Sequence, residues 1–169
     1  MRTMKLVSKM LLIFLLTYCT VSAQYSAPPA PTIPAFNFFK LDKSLFTNKN
    51  LAQDKMLFFF FFDADCEHCQ HAMTNLNQHY EEYKKAAIYL ISLDGQEKIN
   101  QFINKYGPNL KDKKNVTLLQ DLKNEFIVKF RPEKYPSMFL YSAEKKLIDY
   151  EDNEESMFRF SKQINAPAK

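Results

Sequence analysis

An α/β fold with a central mixed β-sheet flanked by helices follows from three features of this 169-residue chain. Two apolar runs of strand length, residues 56–62 and 87–93, read as strands buried on both faces. Each is followed by a segment of helical period, so strands and helices alternate. The last third changes pattern: residues 137–141, a turn at 143–145 and residues 146–150 read as a hairpin before a closing helix. A hairpin added to parallel units makes the sheet mixed.

The chain begins with a basic segment carrying Arg2, Lys5 and Lys9, a short apolar run at 10–16 and the small residues Val21-Ser22-Ala23. That is the pattern of a secretory signal peptide, residues 1–23, cut after Ala23. Export to a periplasmic or secreted location is the expectation, with a membrane anchor by the uncleaved signal as the alternative. The apolar run is short for a membrane span, so no stable insertion is expected after cleavage. Cys19 would mark a lipoprotein, but the bulky Tyr18 precedes it where a small residue is wanted. Residues 24–35, rich in Pro and Ala, read as an extended, mobile lead-in. The remaining domain spans 36–165.

Within it, 36–41 reads as a first strand, and 42–54 shows no clean period apart from a turn at Thr47-Asn48-Lys49-Asn50. A helix from Cys66 to about Lys84 follows the first apolar run, with Cys69, Met73, Leu76, Tyr80 and Tyr83 along one stripe. After the second run, Asp94-Gly95 turns the chain into a helix whose inner face is Ile99, Phe102, Ile103 and Tyr106, stopped by Gly107-Pro108. Residues 116–119 form a short strand. Asp121 opens a helix expected to turn Leu122, Phe126, Ile127 and Phe130 inward. The last helix begins at Asn153-Glu154-Glu155 and carries Met157, Phe160 and Ile164.

Charge and cysteine usage narrow the function. Three of the 23 Lys and Arg lie in the signal segment, so the remainder balances 20 basic against 19 acidic residues. No basic stripe points to nucleic acid. Beyond Cys19 the cysteines are Cys66 and Cys69 alone, in a loop too small to restrain an unfolded chain much. Their value is chemical. A strand that delivers Cys66-Glu67-His68-Cys69 to a helix N-terminus places both sulfurs on the first turn, where free N–H groups and the helix dipole stabilise a thiolate. Cys66, nearer solvent, is the expected nucleophile; Cys69, a turn further in, is the expected resolving thiol. His68 could donate to the Cys66 sulfur, whereas Asp63, Asp65 and Glu67 oppose a negative sulfur. No metal site is expected: Cys66, His68, Cys69 and His71 cannot all converge from one helix. His79 is read as a flank residue without a role.

The strand–Cys-X-X-Cys–helix unit, with Phe130-Arg131-Pro132-Glu133-Lys134-Tyr135-Pro136-Ser137 before a hairpin and final helix, resembles the thioredoxin superfamily. The lead-in and the long segment between the second strand and the proline are similar to its exported, TlpA-like thiol-disulfide oxidoreductase branch. The resemblance implies a thioredoxin-like fold, a cis peptide bond at Pro136, a substrate groove shaped by Tyr135 and Pro136, and no cofactor beyond a redox-active Cys66–Cys69 disulfide. It implies protein thiols and disulfides as partners, with a separate redox donor, and a monomer. Where thioredoxins carry a buried Asp six residues before the first Cys, this chain has Phe60; Asp65 and Glu67-His68 replace the Trp and Pro of many relatives. The expected activity is reduction or exchange of protein disulfides. The alternatives are a peroxiredoxin-like thiol peroxidase, against which Asp63 stands where a Thr is wanted, and a non-enzymatic binding module using the groove at Pro136.

Overall fold

The computed structural model describes residues 27–167. The signal segment, Cys19 and the start of the lead-in lie outside them. Seven strands form one sheet: β1 (Asn37–Lys40), β2 (Leu45–Thr47), β3 (Leu57–Phe62), β4 (Ala87–Ser92), β5 (Val116–Gln120), β6 (Ser137–Tyr141) and β7 (Leu147–Glu151). Their spatial order is β2-β1-β5-β4-β3-β6-β7. Strands β3, β4 and β5 run parallel, while β6 pairs antiparallel with β3, and β1 with β5, so the sheet is mixed.

The phenylalanine run becomes an interior strand of this sheet, between β4 and β6, with both of its faces covered. All six residues of β3 are buried. On one face Phe58 packs against Tyr83 and Phe160, and Phe62 stacks on Phe102 at 4.6 Å. That face is covered by α1 (Glu67–Gln78), α2 (Tyr80–Tyr83), α3 (Gln96–Tyr106) and α5 (Phe158–Ile164). On the other, Phe59 and Phe61 meet Phe130 and Phe126 of α4 (Glu125–Phe130), together with Phe36, Phe38 and Phe46. Among the described residues no helix is long and apolar enough to cross a membrane.

Four local readings change. The helix after Cys66 breaks at His79, whose backbone leaves helical geometry (φ −103°, ψ 21°), and resumes as the single turn α2. Residues 45–47, without a period of their own, form β2 by pairing with β1. The Asp121 segment becomes helical only at Glu125, since Asn124 sits in the left-handed region at φ 56°. Leu122 and Ile127 are therefore exposed, while Phe126 and Phe130 are buried. The described part of the lead-in is anchored rather than mobile. Ala30 N–H donates to Phe130 O, Ile33 N–H to Lys145 O, and Leu147 N–H to Pro31 O. Ala30 and Ile33 are buried, and Tyr141 Oη donates to Ala30 O at 3.0 Å.

Candidate active site

The site grows from the C-terminal end of β3. After Phe62 the chain turns through Asp63-Ala64-Asp65, held by Asp65 N–H donating to Asp63 Oδ1 (2.8 Å) and Cys66 N–H to Asp63 O (3.3 Å). Ala64 N–H donates to Asp94 Oδ2 at 2.9 Å, fastening the turn to the segment after β4. Cys66 is the N-cap of α1 in an extended conformation, and no side chain caps the helix. Its sulfur lies at the end where unpaired N–H groups and the dipole favour negative charge.

The two cysteines differ sharply in exposure. Cys66 is partly exposed, whereas Cys69, one turn on, is fully buried; both are free thiols. Burial pushes the Cys69 thiol well up; the Asp63 backbone N–H draws it part of the way down, and the charges of Cys66 and Asp63 push it further up. Cys66 Sγ lies 3.9 Å from Tyr135 O, to which its thiol donates. The Tyr135–Pro136 bond is cis, and Pro136 is buried. Tyr135 packs its ring on Phe61 at 4.8 Å. Burial, and then the charges of Asp63, Asp94, Cys69 and Asp121, push its phenol up to about 12.

The charged residues around the pair are already committed, and in ways that a single-sequence reading does not reach. Lys98 on α3 bridges Asp65 Oδ2 and Asp94 Oδ1, each at 2.7 Å. Those two hydrogen bonds raise the Lys98 ammonium. Burial opposes ionisation of Asp94, but its bonds to Lys98, Ala64 N–H and Ser92 outweigh it and the carboxyl is lowered. His68 turns away from the thiols and meets Glu154 at 2.6 Å, Nδ1 to Oε1. Glu67 is exposed on the first turn of α1.

Cys66, Cys69, Asp63, Tyr135 and Pro136 thus gather at one place. Asp65 and His68 sit beside it but are bound elsewhere, and Glu67 faces solvent. Lys98, Asp94 and Glu154 are the residues that sequence reasoning missed. The Asp94–Lys98 spacing of four was a readable helix pair. Asp65 to Lys98 and His68 to Glu154 span 33 and 86 residues, and no local signal announces either. A shallow cleft of about 230 Å³ opens beside the turn, lined in part by Asp65, Gln70, Lys98 and Tyr106. Among the described residues no three His, Cys, Asp or Glu side chains are grouped to hold a metal ion.

The AhpC/TSA family matches residues 29–150. A sequence search of curated proteins found no match. Similar solved structures include a secreted Mycobacterium tuberculosis disulfide oxidoreductase homologous to E. coli DsbE, with 18% identity over 76% of this chain and 95% of that one, TM-score 0.62. Peroxidoxin BcpB from Mycobacterium tuberculosis is 16% identical over 79% of this chain and 92% of its own, TM-score 0.63. Arabidopsis thaliana ScoI, solved with copper bound, is 17% identical over 80% of this chain and 98% of its own, TM-score 0.60. Three proteins described so differently share one backbone, so likeness at this level carries the thioredoxin-like fold and leaves the chemistry to the site.

Proposed function

This chain belongs to the AhpC/TSA family, and from that premise we propose that it is an exported thiol-disulfide oxidoreductase that reduces, or exchanges, disulfides in protein substrates. The observation that carries the reading is the asymmetry of the pair: a partly exposed Cys66 at an uncapped helix N-terminus and a fully buried Cys69 one turn later. An exposed thiolate can attack an external disulfide, and a buried neighbour can only resolve what the first has captured. Cys66 attacks, a mixed disulfide forms, and Cys69 closes the Cys66–Cys69 disulfide as the second substrate thiol departs. The protein needs no cofactor beyond that disulfide, acts as a monomer, and is recharged by a separate thiol donor. The reductive direction is supported by His68, which is held by Glu154 instead of stabilising the sulfur. Among the described residues no cation pairs with Asp63, in the turn that leads into Cys66, and its charge disfavours the strongly stabilised thiolate of an oxidant.

Insulin reduction in the presence of dithiothreitol tests the activity. Cys66→Ser should abolish it, and Cys69→Ser should trap substrate as a mixed disulfide through Cys66. Trapping by Cys66→Ser would reverse the roles. The N-terminal pattern supports export, and the native protein should then begin near Gln24 by mass spectrometry. The family match and the likeness to a peroxidoxin favour a second reading, a thiol peroxidase. Peroxide-dependent oxidation of Cys66 at a rate exceeding disulfide reduction would establish it.

A further inference from the structure

Residues 131–136, between α4 and β6, carry the Tyr135 carbonyl that faces Cys66 Sγ, yet they belong to no helix or strand. Among the described residues their backbone makes no hydrogen bond to another backbone group. Side chains hold it instead. Glu133 N–H donates to Tyr150 Oη at 2.9 Å, and Lys134 O accepts from Ser137 Oγ at 2.6 Å. Tyr150 Oη and Ser137 Oγ lie 3.1 Å apart. The Ser137 proton is spent on Lys134 O, so the Tyr150 proton goes to Ser137 Oγ. One directed chain results, from Glu133 N–H through the Tyr150 and Ser137 hydroxyls to Lys134 O. Both of its ends grip the residues just before Tyr135. Ser137 is fully buried and Tyr150 half-buried. The Tyr150 ring packs edge-on against Phe139 at 4.8 Å, a contact that a phenylalanine would make as well. Among the described residues the Tyr150 hydroxyl bonds only to Glu133 and Ser137, so it serves this segment and not the hairpin that carries it.

We propose that Tyr150 is a positioning residue for protein disulfide substrates: its hydroxyl latches the 133–137 segment to β7 and so sets where the backbone of Tyr135 stands against Cys66. The inference rests on the oxidoreductase reading above. A substrate that approaches Cys66 must lie along the segment facing it. An irregular segment without backbone pairing is free to shift unless something fixes it, and a shifted segment meets the substrate at a cost in ordering. Tyr150 supplies the fixing from outside the segment, on a strand whose register is set by its pairing with β6, Phe139 opposite Tyr150. It touches neither sulfur and takes no proton from either. Its effect therefore falls on capture of the substrate and not on the intrinsic reactivity of Cys66.

The test uses the full mature protein with insulin as the disulfide substrate and iodoacetamide as a probe of Cys66 that needs no docking. Tyr150→Phe keeps the ring against Phe139 and removes the latch; Ser137→Ala breaks the same chain from its other side. In each, KM for insulin should rise about three- to tenfold, the worth of a hydrogen bond or two, with kcat within about twofold. Alkylation of Cys66 in the reduced protein should stay within about twofold of wild type, because its sulfur is untouched. The double variant should raise KM no further than the larger single effect, since both changes cut one chain. Amide hydrogen exchange reads the latch without substrate: exchange across 131–137 should quicken by about tenfold in Tyr150→Phe, while β3 and β4 keep their protection. An unchanged KM in both single variants, even with faster exchange, overturns the role. So does a parallel loss of kcat and alkylation, which would mean general loosening, or an additive double variant. A wild-type protein that reduces no insulin undoes the oxidoreductase reading and this role with it, a result that the variants are not needed to see.

Discussion

Phe60→Asp would restore an acid where thioredoxins carry one, and the packing says it should cost nearly the whole fold. Phe60 is fully buried, between Leu90 of β4 and Met138 of β6, in the cluster that also holds Cys69. Losing the ring is comparable to a buried Phe→Ala change, about 3–5 kcal/mol. An unpaired carboxyl there adds about 1–3 kcal/mol even when neutral. The total of roughly 4–8 kcal/mol approaches the 5–15 kcal/mol that a domain of this size possesses. The sign with pH is fixed. Burial raises the folded pKa of the new carboxyl above its unfolded value of about 3.9, so the folded state holds the proton longer. The variant should be least impaired below about pH 4 and lose a further ~1.4 kcal/mol per pH unit as pH rises towards the folded pKa. Urea unfolding followed by far-UV circular dichroism at pH 4, 5 and 6 measures both effects, with Phe60→Leu as a control losing under about 1.5 kcal/mol. A loss below about 2 kcal/mol with no slope against pH would refute the reasoning, because it would mean that water reaches β3.

Two further outcomes are expected. Tyr83→Phe removes the hydroxyl that donates to Met157 O at 2.8 Å inside the core, and should cost about 1 kcal/mol in chemical denaturation, the worth of one hydrogen bond, because Met157 O still accepts from Phe160 N–H at 3.0 Å. Glu154 is lowered, burial notwithstanding, chiefly by its hydrogen bond to His68. A lowered carboxyl contributes stability above its unfolded value of about pH 4.3 and loses it as pH falls through the folded value. Glu154→Gln should therefore narrow the difference in unfolding midpoint between pH 6 and pH 3.5; an unchanged difference would count against the ion pair.

How much of this was legible depended on where each determinant lay. The placement of Cys66 and Cys69 was readable because β3 is an unbroken apolar run and α1 keeps its stripe, both properties of adjacent residues. The inner face of α3 was readable for the same reason: Ile99, Phe102 and Ile103 are buried. The start of α4 was not. Asp121 resembles a helix opener, but its carboxylate reaches Phe126 N–H five residues on, across a non-helical segment. Strand β2 exists through its partner β1, which a three-residue segment cannot announce. The charges at the site were counted incompletely, without Lys98, Asp94 and Glu154. Asp65 and His68 looked like modulators of the sulfur until Lys98 and Glu154, distant in sequence, proved to hold them.

The anchored lead-in also decides what this sheet can recruit. An open edge strand is a template on which another chain can polymerise. At one margin β2 is three residues long, too short to seed addition. At the other, Thr32 bridges Lys146, and the flanking bonds from Leu147 N–H to Pro31 O and from Ile33 N–H to Lys145 O occupy the start of β7. The rest of β7 carries Asp149 and Glu151, both neutralised by Arg159. Pro31 and Pro34 have no N–H to offer outward, so the added segment cannot pass the pattern on. Losing residues 27–34 would unmask a growing end, and the first consequence would be self-association, before any loss of chemistry at Cys66.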